Sequence, residues 1–300
     1  MHQESTANLS EVQPTNTPWL LSIIRRHPLF FYFLIAYAIT WSGGFPYIVL
    51  LHHYTPAIWV VVLLTLGPTI ASFIMTAATE GQAGVGKLLR RYVRWRVGVS
   101  WYLLVMIGIP ALILLVCLTF PGGVAAVLQG LSHYPIVYIM IFFLGGPFFE
   151  EPGWRGFALP HLQQLFGPLR GSLLLGVFWG FWHLPLFFIP GYNGAGSGFV
   201  GISTAMLTFL IATSAFSVIL AWISNNTRGS LLLVMLLHAS INTTSVFSSP
   251  TNNSLLYQLI IYAVFVAFAL IVIVITRGRL TYDSYIHEIG LDPQVPDQPI

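Results

Sequence analysis

An all-α integral membrane protein, with about eight transmembrane helices and a polar intramembrane site at a broken helix, is the fold class this sequence predicts. Three observations predict it. The chain is 56% hydrophobic and only 7% charged, against about 25% charged in an ordinary soluble domain, so it cannot clothe a packed core in solvated side chains. Apolar stretches of membrane-spanning length recur along it. Three of those stretches carry costly polar groups: Glu150, Glu151 and Arg155, then His183, then His238 and Asn242. At membrane depth such groups face one another or a wet cavity.

Crossing about 30 Å of hydrocarbon takes roughly 17–25 predominantly apolar residues. Eight segments meet that requirement: about 29–51, 56–78, 101–120, 134–157, 171–189, 199–223, 229–247 and 255–275. Each is predicted to be helical, because lipid offers backbone polar groups no other partner. The fourth, fifth and seventh are the interrupted or polar ones. Basic residues collect on the cytoplasmic side of short loops. Here Arg25 and Arg26 precede the first span, Lys87, Arg90, Arg91, Arg94 and Arg96 follow the second, and Arg155 and Arg170 follow or end the fourth. Arg228 follows the sixth, and Arg277 and Arg279 the eighth. All twelve Lys and Arg residues thus fall on one side, which predicts a multi-pass protein with both termini cytoplasmic, expected in a bacterial plasma membrane.

The domain plan that follows has a polar cytoplasmic tail over 1–28, N-terminal spans over 29–133, a core over 134–247, a last span over 248–275 and a cytoplasmic tail over 276–300. The first twenty residues contain Glu4 and Glu11 and lack a short apolar core, unlike a cleaved secretory signal, so the first span is expected to anchor the chain. The end from Thr281 to Ile300, with Asp283, Glu288, Asp292 and Asp297, reads as an acidic solvated segment. Cys117 is the sole cysteine, which excludes an internal disulfide and any CxxC metal site. No GxxxxGK fingerprint is present, so nucleotide-driven transport is not indicated, and nucleic acid is not an expected partner. Over 86–97, Leu88, Leu89, Tyr92 and Val93 recur at helical spacing among Lys87, Arg90, Arg91 and Arg94. That pattern suits a basic helix in the interface, where each cation is worth about 1 kcal/mol near anionic lipid. It serves either topology alone or recruitment of an acidic or lipid-bearing substrate.

Glycine and proline interrupt the helix in Gly145-Gly146-Pro147-Phe148-Phe149-Glu150-Glu151-Pro152-Gly153-Trp154-Arg155-Gly156. Such breaks are tolerated in a membrane only where protein or water satisfies the freed backbone, so a cavity is implied. Glu151 and Arg155 share a helical face at i, i+4, while Glu150 points about 100° away. Pairing to Arg155 would hold Glu151 ionised; Glu150, with no sequence-local partner in an apolar setting, suits a general base. The alternative is two carboxylates clamping one arginine. His183 sits in an aromatic helix, Phe178-Trp179-Gly180-Phe181-Trp182-His183, where a lone histidine is as readily an interior hydrogen-bonding residue. His238 and Asn242 share a face, and such a pair can also be plain interhelical glue. The predicted topology puts Glu150, His183 and His238 within roughly 8–18 Å of the cytoplasmic boundary at 1.5 Å per residue, so they can meet in one layer.

In these residues the chain resembles the CAAX prenyl protease and bacteriocin-processing (CPBP) family of intramembrane endopeptidases, also called the CAAX protease self-immunity family. Its EExxxR, FxxxH and HxxxN signatures are matched by Glu150-Glu151-Pro152-Gly153-Trp154-Arg155, Trp179-Gly180-Phe181-Trp182-His183 and His238-Ala239-Ser240-Ile241-Asn242. Trp179 stands where the second signature usually has phenylalanine, a bulkier aromatic that could reshape the pocket. The resemblance implies hydrolysis of a peptide bond at the cytoplasmic side of the membrane. Glu150 and His183 would activate water, His238 and Asn242 would stabilise the oxyanion or orient substrate, and Glu151 and Arg155 would brace the base.

The expected partners are membrane lipid and a peptide or protein substrate, lipidated or not, of the CAAX or the bacteriocin-like kind. No cofactor is required by this scheme, although Zn is the one metal worth testing: Glu150, His183 and His238 could supply an open zinc site, with Glu151 then the base. The local spacings are not those of HExxH. Two other classes remain open on sequence alone, a non-catalytic immunity or binding protein and a proton-coupled transporter with a carboxylate–histidine relay.

Overall fold

The computed structural model describes residues 19–52, 58–190, 192, 198–247 and 255–288. The expectations for most of the N-terminal tail, including Glu4 and Glu11, and for Asp292 and Asp297 lie outside the described residues. Among the described residues there are helices and no strand. In chain order they are α1 (Trp19–Arg26), α2 (Pro28–Gly44), α3 (Ile58–Tyr92), α4 (Val99–Leu103), α5 (Ile109–Leu118), α6 (Gly123–Leu144) and α7 (Pro147–Glu151). Then follow α8 (Leu159–Phe166), α9 (Pro168–Trp182), α10 (Gly198–Asn226), α11 (Leu231–Thr243), α12 (Leu255–Ile275) and α13 (Tyr282–Glu288).

The burial pattern is that of a protein dissolved in lipid. On α6 and α12, Leu128, Leu131, Ile136, Leu270, Ile271 and Val274 are exposed, whereas the buried set includes Glu151, Arg155, Ser217 and Thr243. Outward apolar side chains cost nothing against acyl chains, and inward polar ones need partners. The centre is α10, whose Val218, Ile219, Leu220 and Ala221 are fully buried and which packs on α9 and α12. Helices α2 and α3 pack on each other, and α3 packs on α7 and the stretch after it.

Six helical segments among the described residues are long and apolar enough to cross a bilayer, not the eight predicted. The fifth and seventh predicted spans shrink to α9, 15 residues, and α11, 13 residues, short of the roughly 20 that a spanning helix needs. Both stop where a tight turn takes over, at Leu184–Phe188 and Thr244–Phe247. The fourth predicted span, 134–157, is not one helix either. It divides at Gly145 and Gly146, because Gly146 has φ +113°, a conformation that L side chains rarely adopt.

The basic interfacial helix over 86–97 is also revised. It continues α3 beyond a kink at Gly81, where φ is 68° and ψ −161°, and ends at Tyr92; residues 93–98 leave the helix. Arg155, counted with the loops in the sequence, is wholly buried and so belongs to the interior rather than to the topology-determining set.

Backbone groups freed by helix breaks find local donors. Pro68 lies inside α3 and has no N–H to give the Leu64 carbonyl; the Thr40 hydroxyl of α2 donates to it instead, at 2.9 Å. Trp41 of α2 donates its indole N–H to the Trp182 carbonyl at 2.9 Å, and the Tyr37 hydroxyl donates to the Phe178 carbonyl, so α2 caps the end of α9.

Helices α9 and α10 touch through glycines. A Cβ on Gly176 would strike the Ser214 backbone and lie 2.7 Å from the Thr213 carbonyl oxygen, and one on Gly180 would meet the Thr213 hydroxyl. This is the small-xxx-small contact of membrane helices. Gly176→Val is therefore expected to lower the melting temperature in detergent, with an overpacking cost of about 1–3 kcal/mol, measured by thermal unfolding against wild type; an unchanged melting point would contradict the contact.

Candidate active site

Everything in the site starts from the break at Gly146. A Cβ there would collide with the Glu150 carboxyl oxygen Oε1 and push that carboxylate aside, so glycine leaves room for Glu150 where it stands as well as suiting φ. Pro147 opens α7 at the first helical position, where a missing N–H is harmless. The amides of Phe149 and Glu150 both donate to the Gly146 carbonyl at 2.8 Å, and the Thr69 hydroxyl of α3 donates to the Phe149 carbonyl. The chain then widens into a π-helical stretch, Pro152–Ala158, a device common at functional sites. It can lie close to α3 because residue 153 is glycine: a Cβ would come within 2.5 Å of the Pro68 carbonyl oxygen.

Glu151 and Arg155 form the ion pair that their spacing predicts. Arg155 Nη1 lies 3.0 Å from Glu151 Oε1, with both side chains at 0% exposure. The same oxygen is 2.8 Å from His238 Nδ1, a contact across 87 residues that no local spacing could announce. A third tie comes from Arg91 at the end of α3. Its guanidinium donates to the carbonyls of Arg155 at 2.8 Å, Gly156 at 2.7 Å and Gly229 at 2.8 Å. Arg91 thereby joins the π-helical stretch to the turn before α11. Ser230 caps α11, its hydroxyl accepting from the Leu233 amide at 3.3 Å and donating to the Arg94 carbonyl at 2.6 Å. These bonds set the start of α11, and His238 follows two turns on.

Trp179 is the hub that the sequence reading treated only as a departure from phenylalanine. Its indole N–H donates to Glu150 Oε2 at 2.9 Å, and its ring faces the Arg155 guanidinium at 4.3 Å, a cation–π distance. Its carbonyl accepts from His183 Nδ1 at 2.9 Å, and the His238 ring meets it edge-on at 5.3 Å between centroids. Its position inside the second signature was the available signal. Because a carbonyl only accepts, His183 must carry its proton on Nδ1, which leaves Nε2 as the free lone pair of the neutral ring.

A cavity of about 440 Å³ is lined by Glu150, Trp179, His183, His238 and Asn242, with apolar walls that include Phe209, Phe216, Ile261 and Phe265. Glu150 and His238 each retain 4% exposure, whereas Glu151 and Arg155 retain none. The sequence-predicted residues thus separate into four that border the cavity and two that lie behind it. Among the described residues no three His, Cys, Asp or Glu side chains are grouped closely enough to hold a metal ion.

With this geometry in place, two comparisons gain meaning. The family model for type II CAAX prenyl endopeptidase Rce1-like proteins matches residues 132–244, the stretch that holds all six site residues. The chain is also similar to CAAX prenyl protease 2 of Methanococcus maripaludis, 25% identical over 256 residues, covering 78% of this chain and 90% of that protein. The family model and this relative support a membrane peptidase. Over residues 132–244 the chain is similar to the CAAX protease (CPBP) family.

Removing one partner of a buried ion pair strands the other, at a cost of about 3–5 kcal/mol. Arg155→Ala and Glu151→Ala are each expected to lower the melting temperature sharply, and the double variant by much less than the sum. Additive losses in that double-mutant cycle would show that the pair is not coupled.

Proposed function

We propose that this protein is an intramembrane endopeptidase that hydrolyses a peptide bond at the cytoplasmic side of the membrane, with Glu150 and His183 activating the attacking water. The carrying observation is the convergence of Glu150, His183, His238 and Asn242 on one cavity, with Glu150 steadied by the Trp179 indole.

Glu150 takes a proton from water as the oxygen adds to the scissile carbonyl carbon. His183, accepting through Nε2, orients that water. The carbonyl oxygen becomes an oxyanion, stabilised by the Asn242 amide N–H and by His238. With Nδ1 committed to Glu151, His238 can donate from Nε2 only as the imidazolium, and Glu151 is then its counter-ion. When the C–N bond breaks, Glu150 returns its proton to the leaving amine. Each such role is worth about 10²–10⁴-fold in rate. No step needs a metal.

For substrate, the name of the methanogen relative favours a lipidated CAAX-type C-terminal peptide, and the apolar cavity wall suits a lipid-bearing chain. A bacteriocin-like apolar peptide is the second class to assay.

Purified protein is incubated with prenylated and unprenylated CAAX peptides and with apolar unlipidated peptides. Glu150→Gln is expected to slow cleavage by at least about 100-fold with an unchanged melting temperature, and a chelator is expected to have no effect. Full activity in Glu150→Gln refutes the assignment of the base, and loss on chelation refutes the metal-free scheme. Trp179→Phe, which keeps the ring and removes its N–H, is expected to retain activity within about tenfold, corresponding to one hydrogen bond of about 1.4 kcal/mol; a loss as large as that of Glu150→Gln would make the indole N–H indispensable.

A further inference from the structure

A second cavity, larger than the one at the catalytic groups, lies away from them. It has a volume of about 700 Å³ and is bordered by Lys87, Arg90, Arg91, Arg94, Arg96 and Arg228, against only two carboxylates, Glu80 and Glu288. These cations come from three places: the last turns of α3, the connection over 93–98, and the turn between α10 and α11. A rule that merely counts charge on one side of a membrane asks for no such convergence. Like charges gathered around a concavity repel, and a bound anion relieves that repulsion.

The internal answers are few. Arg91 is committed to three backbone carbonyls, Arg94 donates to the Arg228 carbonyl, and Arg228 donates to the Arg96 carbonyl at 3.2 Å. The ion pair between Arg228 and Glu288 is long, 3.9 Å, and more than half exposed on both sides, where such pairs contribute little. Burial, together with the neighbouring Arg91 and Arg228 guanidinium groups, holds the pKa of Arg94 below its ordinary value. Lys87 and Arg90 are exposed at the mouth.

We propose that this basic cavity binds the phosphate-bearing head group of an anionic phospholipid. A phosphate supplies several strong acceptors and matches guanidinium geometry. A lipid is favoured over a free phosphate ion by what surrounds the cations. Leu89, Val93 and Trp95 are 50%, 69% and 60% exposed, and Val93 and Trp95 line the cavity itself. An exposed tryptophan beside basic residues is the signature of the membrane interface. The site also sits where the membrane-length segments Val60–Tyr92 and Gly198–Asn226 end, at head-group level. The occupant would thus have its phosphate among the cations and its chains along the apolar side chains. None of this depends on the hydrolytic reading.

The test is native mass spectrometry of the purified full-length protein in detergent, titrated with phosphatidylglycerol or with phosphatidylcholine of the same chains, and separately with inorganic phosphate. Wild type is expected to retain phosphatidylglycerol in preference to phosphatidylcholine. Lys87→Glu/Arg90→Glu is expected to weaken phosphatidylglycerol binding by at least about tenfold, and the milder Lys87→Gln/Arg90→Gln to weaken it less; melting temperatures report whether each variant is folded. Arg277→Glu/Arg279→Glu, with the same charge change elsewhere, is expected to retain the preference. Equal retention of the two lipids by wild type, an unaltered preference in both Lys87/Arg90 variants, or the same loss in the Arg277/Arg279 variant overturns the proposal. Capture of inorganic phosphate without phosphatidylglycerol also overturns it, in favour of a free-anion site.

Discussion

One carboxylate oxygen holds this site together. Glu151 Oε1 receives both Arg155 and His238, in an interior where an unpaired charge would be prohibitively costly. Satisfying it forces the helix that carries the glutamates and the helix that carries His238 into one register. Glu150 needs no anchor of its own to find the cavity. Being the next residue, it is turned about 100° from the buried pair, and the Trp179 indole meets it there. The charged pair behind the wall therefore aims the polar groups in front of it.

The backbone around the site is irregular, and each irregularity is matched by a polar group from another helix. The carbonyl orphaned by Pro68 is taken by Thr40, that of Trp182 at the end of α9 by Trp41, and that of Phe149 beside the break by Thr69. In lipid this matching is obligatory, since no solvent stands ready to replace a lost partner. Helices α2 and α3, which contribute none of the signature residues, are what allow the signature helices to be broken.

Much of this was legible from local pattern. The apolar runs gave the helical membrane class, because composition alone bars a solvated surface, and the i, i+4 spacing of Glu151 and Arg155 gave their pairing. What was hidden depends on contacts between distant segments. Nothing near His238 says that it will meet Glu151, and nothing near Arg91 says that it will clamp Arg155, Gly156 and Gly229. Apolarity also counts residues without seeing where φ changes sign. The run over 134–157 reads as one span, although Gly146 divides it, and α9 and α11 read as full crossings although tight turns cut them short. Arg155 was grouped with loop cations for the same reason: charge is visible in sequence, burial is not.

The π-helical turn after Glu151 has a consequence for how the molecule can vary. A wide turn of this kind holds one residue more than an α-helix would need. Deleting Pro152, Gly153 or Trp154 would cut the separation of Glu151 and Arg155 from four residues to three and alter the geometry of their ion pair. The segment between the two charges is thus constrained in length as well as in side chains, since Gly153 within it has no room for a Cβ.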